Sequence, residues 1–311
     1  MTDITENCPS RECVAVSGAG GLIGAAVVQA LRAGGWSVRR LVRRSDSGPV
    51  TGTDEIAWDP ATGDIETQKL ADCHAVIHLA GESISGLWTT AKRRRIYDSR
   101  VGPTQRLAAA VARLDSRPMA FLCASAVGFY GDCGDRVVTE QEPSGAGFLA
   151  DLCRDWEAAC TPAAATGTRV VNLRFGLVLA ARGGVLARIL PAFRMGLGGA
   201  LGSGEQHWPW ITLNDAARAI LHVLEDQITN GPVNIASPEP ATNAHFTQAL
   251  AKELRRPAVC RVPAFALRML PGDFARQVVL ASTRAMPARL LANGFQFTHP
   301  TLAPALHDIL K

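Results

Sequence analysis

The chain has 311 residues, 47% hydrophobic and 19% charged, and its 32 Lys and Arg against 28 Asp and Glu leave a net charge of +4. This is enough apolar material for one large or two small domains, and it excludes a disordered chain. The charge is too small and too dispersed for a nucleic-acid partner, and no run approaches the roughly 18 apolar residues of a membrane helix.

The opening segment, Met1 to Glu12, is polar and lacks the apolar stretch of a secretory signal, so the expected location is cytoplasmic. Cys13-Val14-Ala15-Val16 predicts a first strand. Leu22 to Ala33 is apolar at helical spacing and stops at Gly34-Gly35. Ser37 to Val42 predicts strand two, Ile56-Ala57-Trp58 a weaker strand three, and Ala75 to Leu79 strand four. A helix is expected from Arg94 to Arg113, kinked at Pro103. Phe121 to Ala124 is strand five, a helix follows from Leu149 to Ala165, and Val170 to Leu173 is strand six. Apolar strands separated by helices predict a parallel sheet covered on both faces. After Arg174 the chain turns glycine-rich around a short helix, Val185 to Arg194. Leu213 to Leu224 predicts another helix and Val233 to Ile235 a further strand. From Asn243 the chain reads as helices broken by prolines. The expected fold is an α/β, Rossmann-type doubly wound parallel sheet over residues 1–175, completed by about 213–236. A smaller, mostly helical substrate domain takes 176–212 and 237–311.

The eight cysteines form no C-x-x-C pair, and several lie in apolar runs such as Phe121-Leu122-Cys123-Ala124. They read as buried thiols of a reducing compartment, and no metal site is expected.

Strand one runs into Ser17-Gly18-Ala19-Gly20-Gly21-Leu22-Ile23-Gly24. Glycines at 18, 21 and 24, between a strand and a helix, suit a dinucleotide site. Gly18 makes the turn, Gly21 lets backbone approach a pyrophosphate, and Gly24 lets helix and strand pack closely. A NAD site wants an acid about 20 residues on, at the ribose hydroxyl. Here stand Arg43 and Arg44, whose guanidiniums suit a 2′-phosphate, so the expected cofactor is NADP(H).

The glycine loop, His78-Leu79-Ala80-Gly81-Glu82 and Ser125-Ala126-Val127-Gly128-Phe129-Tyr130-Gly131 resemble the extended short-chain dehydrogenase/reductase superfamily. Arg174-Phe175-Gly176-Leu177, Gly202-Ser203-Gly204-Glu205-Gln206, Gly231-Pro232-Val233-Asn234 and Pro287-Ala288-Arg289-Leu290 narrow the likeness to an atypical branch. That branch is the NAD-dependent epimerase/dehydratase-like, or sugar-nucleotide epimerase-like, proteins with a C-terminal domain of unknown function. The resemblance implies that Gly18, Gly21, Leu22, Ile23 and Gly24 hold the pyrophosphate and Arg43 the 2′-phosphate. It implies that Leu79, Ala80 and Gly81 line the ribose side.

The superfamily's Tyr-x-x-x-Lys pair is missing. The two tyrosines, Tyr97 and Tyr130, are followed four residues on by Val101 and Gly134, and the expected region reads Phe148 to Cys153. The serine stands one residue early, at Ser125, and the helix position that usually carries Asn holds Arg100. Three residues are candidates for the missing chemistry. Ser125 is either a proton donor or a satisfied strand-end hydroxyl. Tyr130 is either the acid or a structural phenol. Glu82 is either a desolvated base or a capping or salt-bridged carboxylate. His207 and Trp208, in the polar and aromatic run 205–210, are candidates for a substrate pocket, whereas Trp210 reads as core. Arg93-Arg94-Arg95 reads as a solvated helix face, or as a contact to substrate phosphate. The expected function is an NADP(H)-binding oxidoreductase or epimerase-like protein acting on a small carbonyl or sugar-nucleotide-like substrate. The alternative is a non-catalytic NADPH sensor. A homodimer is a fold-level analogy with no residue behind it.

Overall fold

The computed structural model describes residues 11–43, 52–269 and 272–311. Arg44 lies outside the described residues. Strand β1 (Arg11–Ser17) leads into helix α1 (Leu22–Ala33), then β2 (Trp36–Arg43), β3 (Glu55–Trp58), α2 (Thr67–Ala71) and β4 (Cys73–His78). Helices α3 (Thr90–Asp98) and α4 (Val101–Ala112), strand β5 (Ala120–Ala126) and helix α5 (Phe148–Ala158) follow. With strands Arg169–Phe175 and Gly231–Ile235 these make a seven-stranded sheet, ordered Gly231–Ile235, Arg169–Phe175, β5, β4, β1, β2, β3. Every pair in it is parallel. The chain is thus an α/β, Rossmann-type doubly wound sheet.

The reason is visible strand by strand. Val14, Ala15 and Val16 of β1, Ala75 to Ile77 of β4 and Phe121 to Cys123 of β5 are fully buried. A strand apolar on both sides needs helices on both faces, as parallel crossovers supply. The order reverses between β1 and β4, so the loops leaving their carboxyl ends diverge and open a crevice.

The expected helix from Arg94 to Arg113 is two helices, and the break falls at Ser99–Arg100, not at Pro103. Pro103 sits in the first turn of α4, where its missing N–H has no helical partner to lose. The expected helix from Leu149 to Ala165 also divides, into α5 and a short turn, Thr161–Ala165, that begins around Pro162.

A second apolar core joins Leu179, Leu186, Leu190, Phe193 and Trp210 to Phe246, Leu250, Leu302 and Leu306. Trp210 is fully buried, as its expected core role requires. Helices Asn243–Leu254 and Leu302–Leu310 and short turns dominate the C-terminal part. At the opposite end of the sheet from the crevice, Cys13 and Cys73 are register partners on β1 and β4, and their sulfurs lie 3.7 Å apart.

Candidate functional site

The glycine loop is held by backbone contact. Gly18 has φ +68°, and a Cβ there would lie 2.8 Å from Ala80 N and Leu79 C. A Cβ on Gly24 would lie 2.1 Å from Gly18 O. Both positions therefore exclude any side chain, so the loop rests directly on the strand-four loop and on α1. Gly21 is different: its φ is −77°, and a Cβ would meet only Gly18 O, at 3.2 Å. It is the N-cap of α1 and carries no side-chain cap. The first-turn amides of α1, which have no carbonyl within their own helix, are left for an anion.

Beneath the loop, Ser17 Oγ and His78 Nδ1 are 2.6 Å apart, and the same Oγ accepts from the Leu79 amide. Complete burial pulls His78 down to about 4, so the ring is neutral at pH 7.

A cavity of about 1190 Å³ opens over this loop. Gly18, Gly21 and Arg43 line it, as do Leu79, Ala80, Gly81 and Glu82. Arg43 ends β2 and is exposed. Arg40, Arg95 and Arg106 add positive charge to the walls, against Glu82 and Asp98. Of the Arg93-Arg94-Arg95 run, Arg93 is paired with Asp273 and Arg94 with Asp98; Arg95 faces this cavity. Leu22 and Gly24 do not line it; Gly24 packs under Gly18, and a Cβ on Gly183 would touch Leu22. An extended, cation-rimmed cleft on an uncapped helix start fits a dinucleotide carrying an extra phosphate.

A second cavity, of about 360 Å³, adjoins it and shares Leu79. Ile23, Arg100, Ser125, His207 and Trp208 line it. Ser125 Oγ donates to Glu157 Oε1 at 2.7 Å. The carboxylate is in turn held by Arg174, whose Nε and Nη2 donate to Oε1 and Oε2 at 2.8 Å each. Arg174 is buried, and its guanidinium lies 3.5 Å from the Phe129 ring centroid. Burial lowers the pKa of His207 and favours its neutral ring, and Trp208 donates to the Val279 carbonyl.

Two expected catalytic residues are placed elsewhere. Tyr130 is buried and does not line this cavity; its hydroxyl donates to Asn234 Oδ1 at 2.7 Å and accepts from Arg174 Nη1 at 2.9 Å. Burial raises it to about 12. It is a structural phenol that braces Arg174. Glu82 is not a desolvated base: its carboxylate is 40% exposed and paired with Lys92 at 2.7 Å, which lowers its pKa. It lines the larger cavity, not the one beside Ser125.

Sequence reasoning missed Glu157, Arg174 and Asn234 as a set. They stand on α5 and on two strands far apart in the chain. The available signal was the parallel register of β5 with Arg169–Phe175, which sets Ser125 opposite Arg174.

Fold and crevice define a Rossmann-type α/β protein with a glycine-loop cradle at the sheet's carboxyl edge. The NAD dependent epimerase/dehydratase family matches residues 14–236, and a domain of unknown function, DUF1731, matches 262–309. The chain belongs to the NAD dependent epimerase/dehydratase family. An epimerase family protein of Mycobacterium leprae is 42% identical over 297 residues, 95% of each chain. The crystal structure of human epimerase family protein SDR39U1 with NADPH has a TM-score of 0.84 and 32% identity, covering 96% of this chain and 98% of that one. A nucleoside-diphosphate sugar epimerase structure from Corynebacterium glutamicum has a TM-score of 0.80 and 32% identity over 97% of this chain and 58% of the other. Among the described residues no helix is long and apolar enough to cross a membrane, and no group of His, Cys, Asp and Glu could hold a metal ion.

Proposed function

We propose that the protein is an NADP(H)-dependent oxidoreductase or epimerase-like enzyme that interconverts a small alcohol and its carbonyl. In this reading Ser125 and Glu157 stand where a Tyr-x-x-x-Lys pair would otherwise act. The observation that carries it is the Ser125–Glu157 bond at the wall of the smaller cavity. The larger cavity is the natural place for the dinucleotide, with the 2′-phosphate at Arg43, and NADPH bound to the human relative supports that choice. When bound, NADP(H) supplies or takes the hydride.

The protein's own part is proton handling and exclusion of water. The Ser125 proton is turned toward Glu157, so the hydroxyl offers lone pairs, not a proton, to the cavity. It therefore accepts from a substrate hydroxyl while its own proton moves toward the carboxylate. Arg174 fixes Glu157 in place. With no lysine to tune a tyrosine, turnover is expected well below the usual enzyme median of about 10 per second.

The test is a screen of NADPH with quinones and dicarbonyls, and of NADP⁺ with alcohols, followed by Ser125→Ala. A loss of about a hundredfold or more is expected, in the range of a removed proton-transfer group. Tight NADPH binding with no turnover in either direction would favour the sensor reading, which the missing Tyr-x-x-x-Lys pair supports.

A further inference from the structure

The buried and half-buried guanidiniums of the described residues are not alike. Arg174 has the Glu157 carboxylate. Arg169 donates to the carbonyls of Val223, Leu224 and Thr229, closing the end of helix Leu213–Glu225, and lines neither cavity. Arg100 lines the smaller cavity and has no carboxylate of the described residues within ion-pair distance. Its Nη1 donates to Ile96 O at 3.1 Å and Ser99 Oγ at 3.2 Å, and its Nη2 to Glu82 O at 2.8 Å. Its plane is pinned between the Trp156 ring, whose centroid is 5.0 Å away, and Gly81, where a Cβ would lie 3.1 Å from Cζ. A guanidinium has five N–H donors. The three bonds account for three of them, all to neutral oxygens.

The rest of the wall makes this charge conspicuous. No Asp or Glu lines the smaller cavity, and its His207 is held toward the neutral form by burial. Gln277 and Thr283 are committed to backbone partners, at Leu149 N and Gly131 O. Ile84, Leu152, Phe175 and Leu177 make much of the remainder apolar. A cation half-withdrawn from water, with no carboxylate in contact and only the Lys92-paired Glu82 nearby, faces an apolar chamber, a costly arrangement that an anion would relieve. A carboxylate matches the planar fork best, and the chamber lies near the small end of ligand-site volumes.

We propose that the smaller cavity takes its substrate as a small organic carboxylate with an apolar body, the carboxylate read by the free N–H groups of Arg100. The inference rests on the larger cavity being the NADP(H) site, and it names the substrate class for that reading. Arg100 then acts beside Ser125 as the orienting group, placing the substrate's oxygen toward the serine.

The experiment uses the full chain saturated with NADP⁺, which has no hydride to give a ketone, and a matched pair of probes, phenylglyoxylate and its methyl ester. They share one body and differ in the charge. Calorimetry at low salt is expected to give at least tenfold tighter binding of phenylglyoxylate. Arg100→Met should remove about ten- to a hundredfold of that affinity, leave the ester unchanged and keep NADP⁺ affinity within about threefold. Equal binding of the two probes, or binding of neither by protein that has bound NADP⁺, overturns the proposal. So does a variant that loses NADP⁺ and keeps phenylglyoxylate, since Arg100 then serves the cofactor. Failure of the wild-type protein to bind NADP⁺ overturns instead the function on which the inference rests. The probe comparison needs no variant, so poor folding of Arg100→Met leaves it decisive.

Discussion

Arg43 closes β2 with an exposed guanidinium at the rim of the larger cavity. If it reads a 2′-phosphate, Arg43→Ala weakens NADPH by about ten- to a hundredfold and leaves NADH unaffected. Calorimetry with both cofactors checks this, and equal losses would remove the assignment. Glu157 offers a different kind of test. Arg174 is 3% exposed, and Glu157→Leu leaves its charge without a carboxylate. The expected cost is about 3–5 kcal/mol in urea unfolding. A cost under about 1 kcal/mol would mean that the Tyr130 and Phe129 contacts suffice to hold the arginine. Single residues were unevenly legible. Arg43 follows from its distance past the glycine loop, because local spacing fixes it. Residue type alone points to Tyr130 and Glu82, and type does not reveal that Asn234 and Lys92 already hold them. Ser125 remained, but its partner came from a helix 32 residues later.

The glycine loop separates stability from binding within one element. Gly18→Ala forces a side chain into the left-handed region and against the Leu79–Ala80 backbone, and should lower stability by about 1–3 kcal/mol. Gly21→Val has an ordinary φ and one tight contact, so the fold should survive while NADPH affinity falls more than tenfold. Thermal unfolding and calorimetry on both variants check the contrast; normal NADPH binding by Gly21→Val would reduce the loop to a turn. The strands β1 and β4 meet at Ser17 and His78. The folded protein holds His78 at about 4 against 6.5 in the unfolded chain. The unfolded state therefore binds more protons between those values, and stability falls as pH drops from 6.5 toward 4. The full effect, reached below pH 4, is about 3 kcal/mol. His78→Gln should flatten that slope in urea titrations at pH 7 and 4.5. Strands and their order of appearance were readable because burial on two faces writes itself as unbroken apolar runs. The break at Ser99–Arg100 was not: it carries no proline or glycine, and the turn there is braced by Arg100 side-chain bonds to the Ile96 carbonyl one turn back and to the Glu82 carbonyl of a distant loop.

The sheet and the C-terminal part are tied together through their two largest cores. Leu290 and Phe295, from the C-terminal part, pack in the core of the large sheet. Asp215 accepts from the Thr298 and His299 amides, and Asn234 donates to the Met286 carbonyl. These ties predict one cooperative thermal transition, and two resolved transitions would contradict them. Bound NADPH should raise that single transition, by about 2.7 kcal/mol at a hundred times its dissociation constant. The smaller strand pairs, such as Leu177–Leu179 with Trp210–Thr212, were not legible, since three-residue strands have no period to detect.

The thiol pair at the floor of the sheet gives the protein a chemical handle remote from its clefts. The hydrogen bond from Cys73, with Arg39 assisting, lowers Cys13 to about 7, while Cys73 is raised in return. The pair thus gives up its first proton near neutrality and behaves as one acid. In a Cys8→Ser, Cys260→Ser background, iodoacetamide should label Cys13 first, with a rate that climbs through pH 7. Cys13 stands four residues before Ser17, roughly 13 Å along β1 from the glycine loop. A fluorophore placed there would report on the sheet from its far end and leave both cavities free for their ligands.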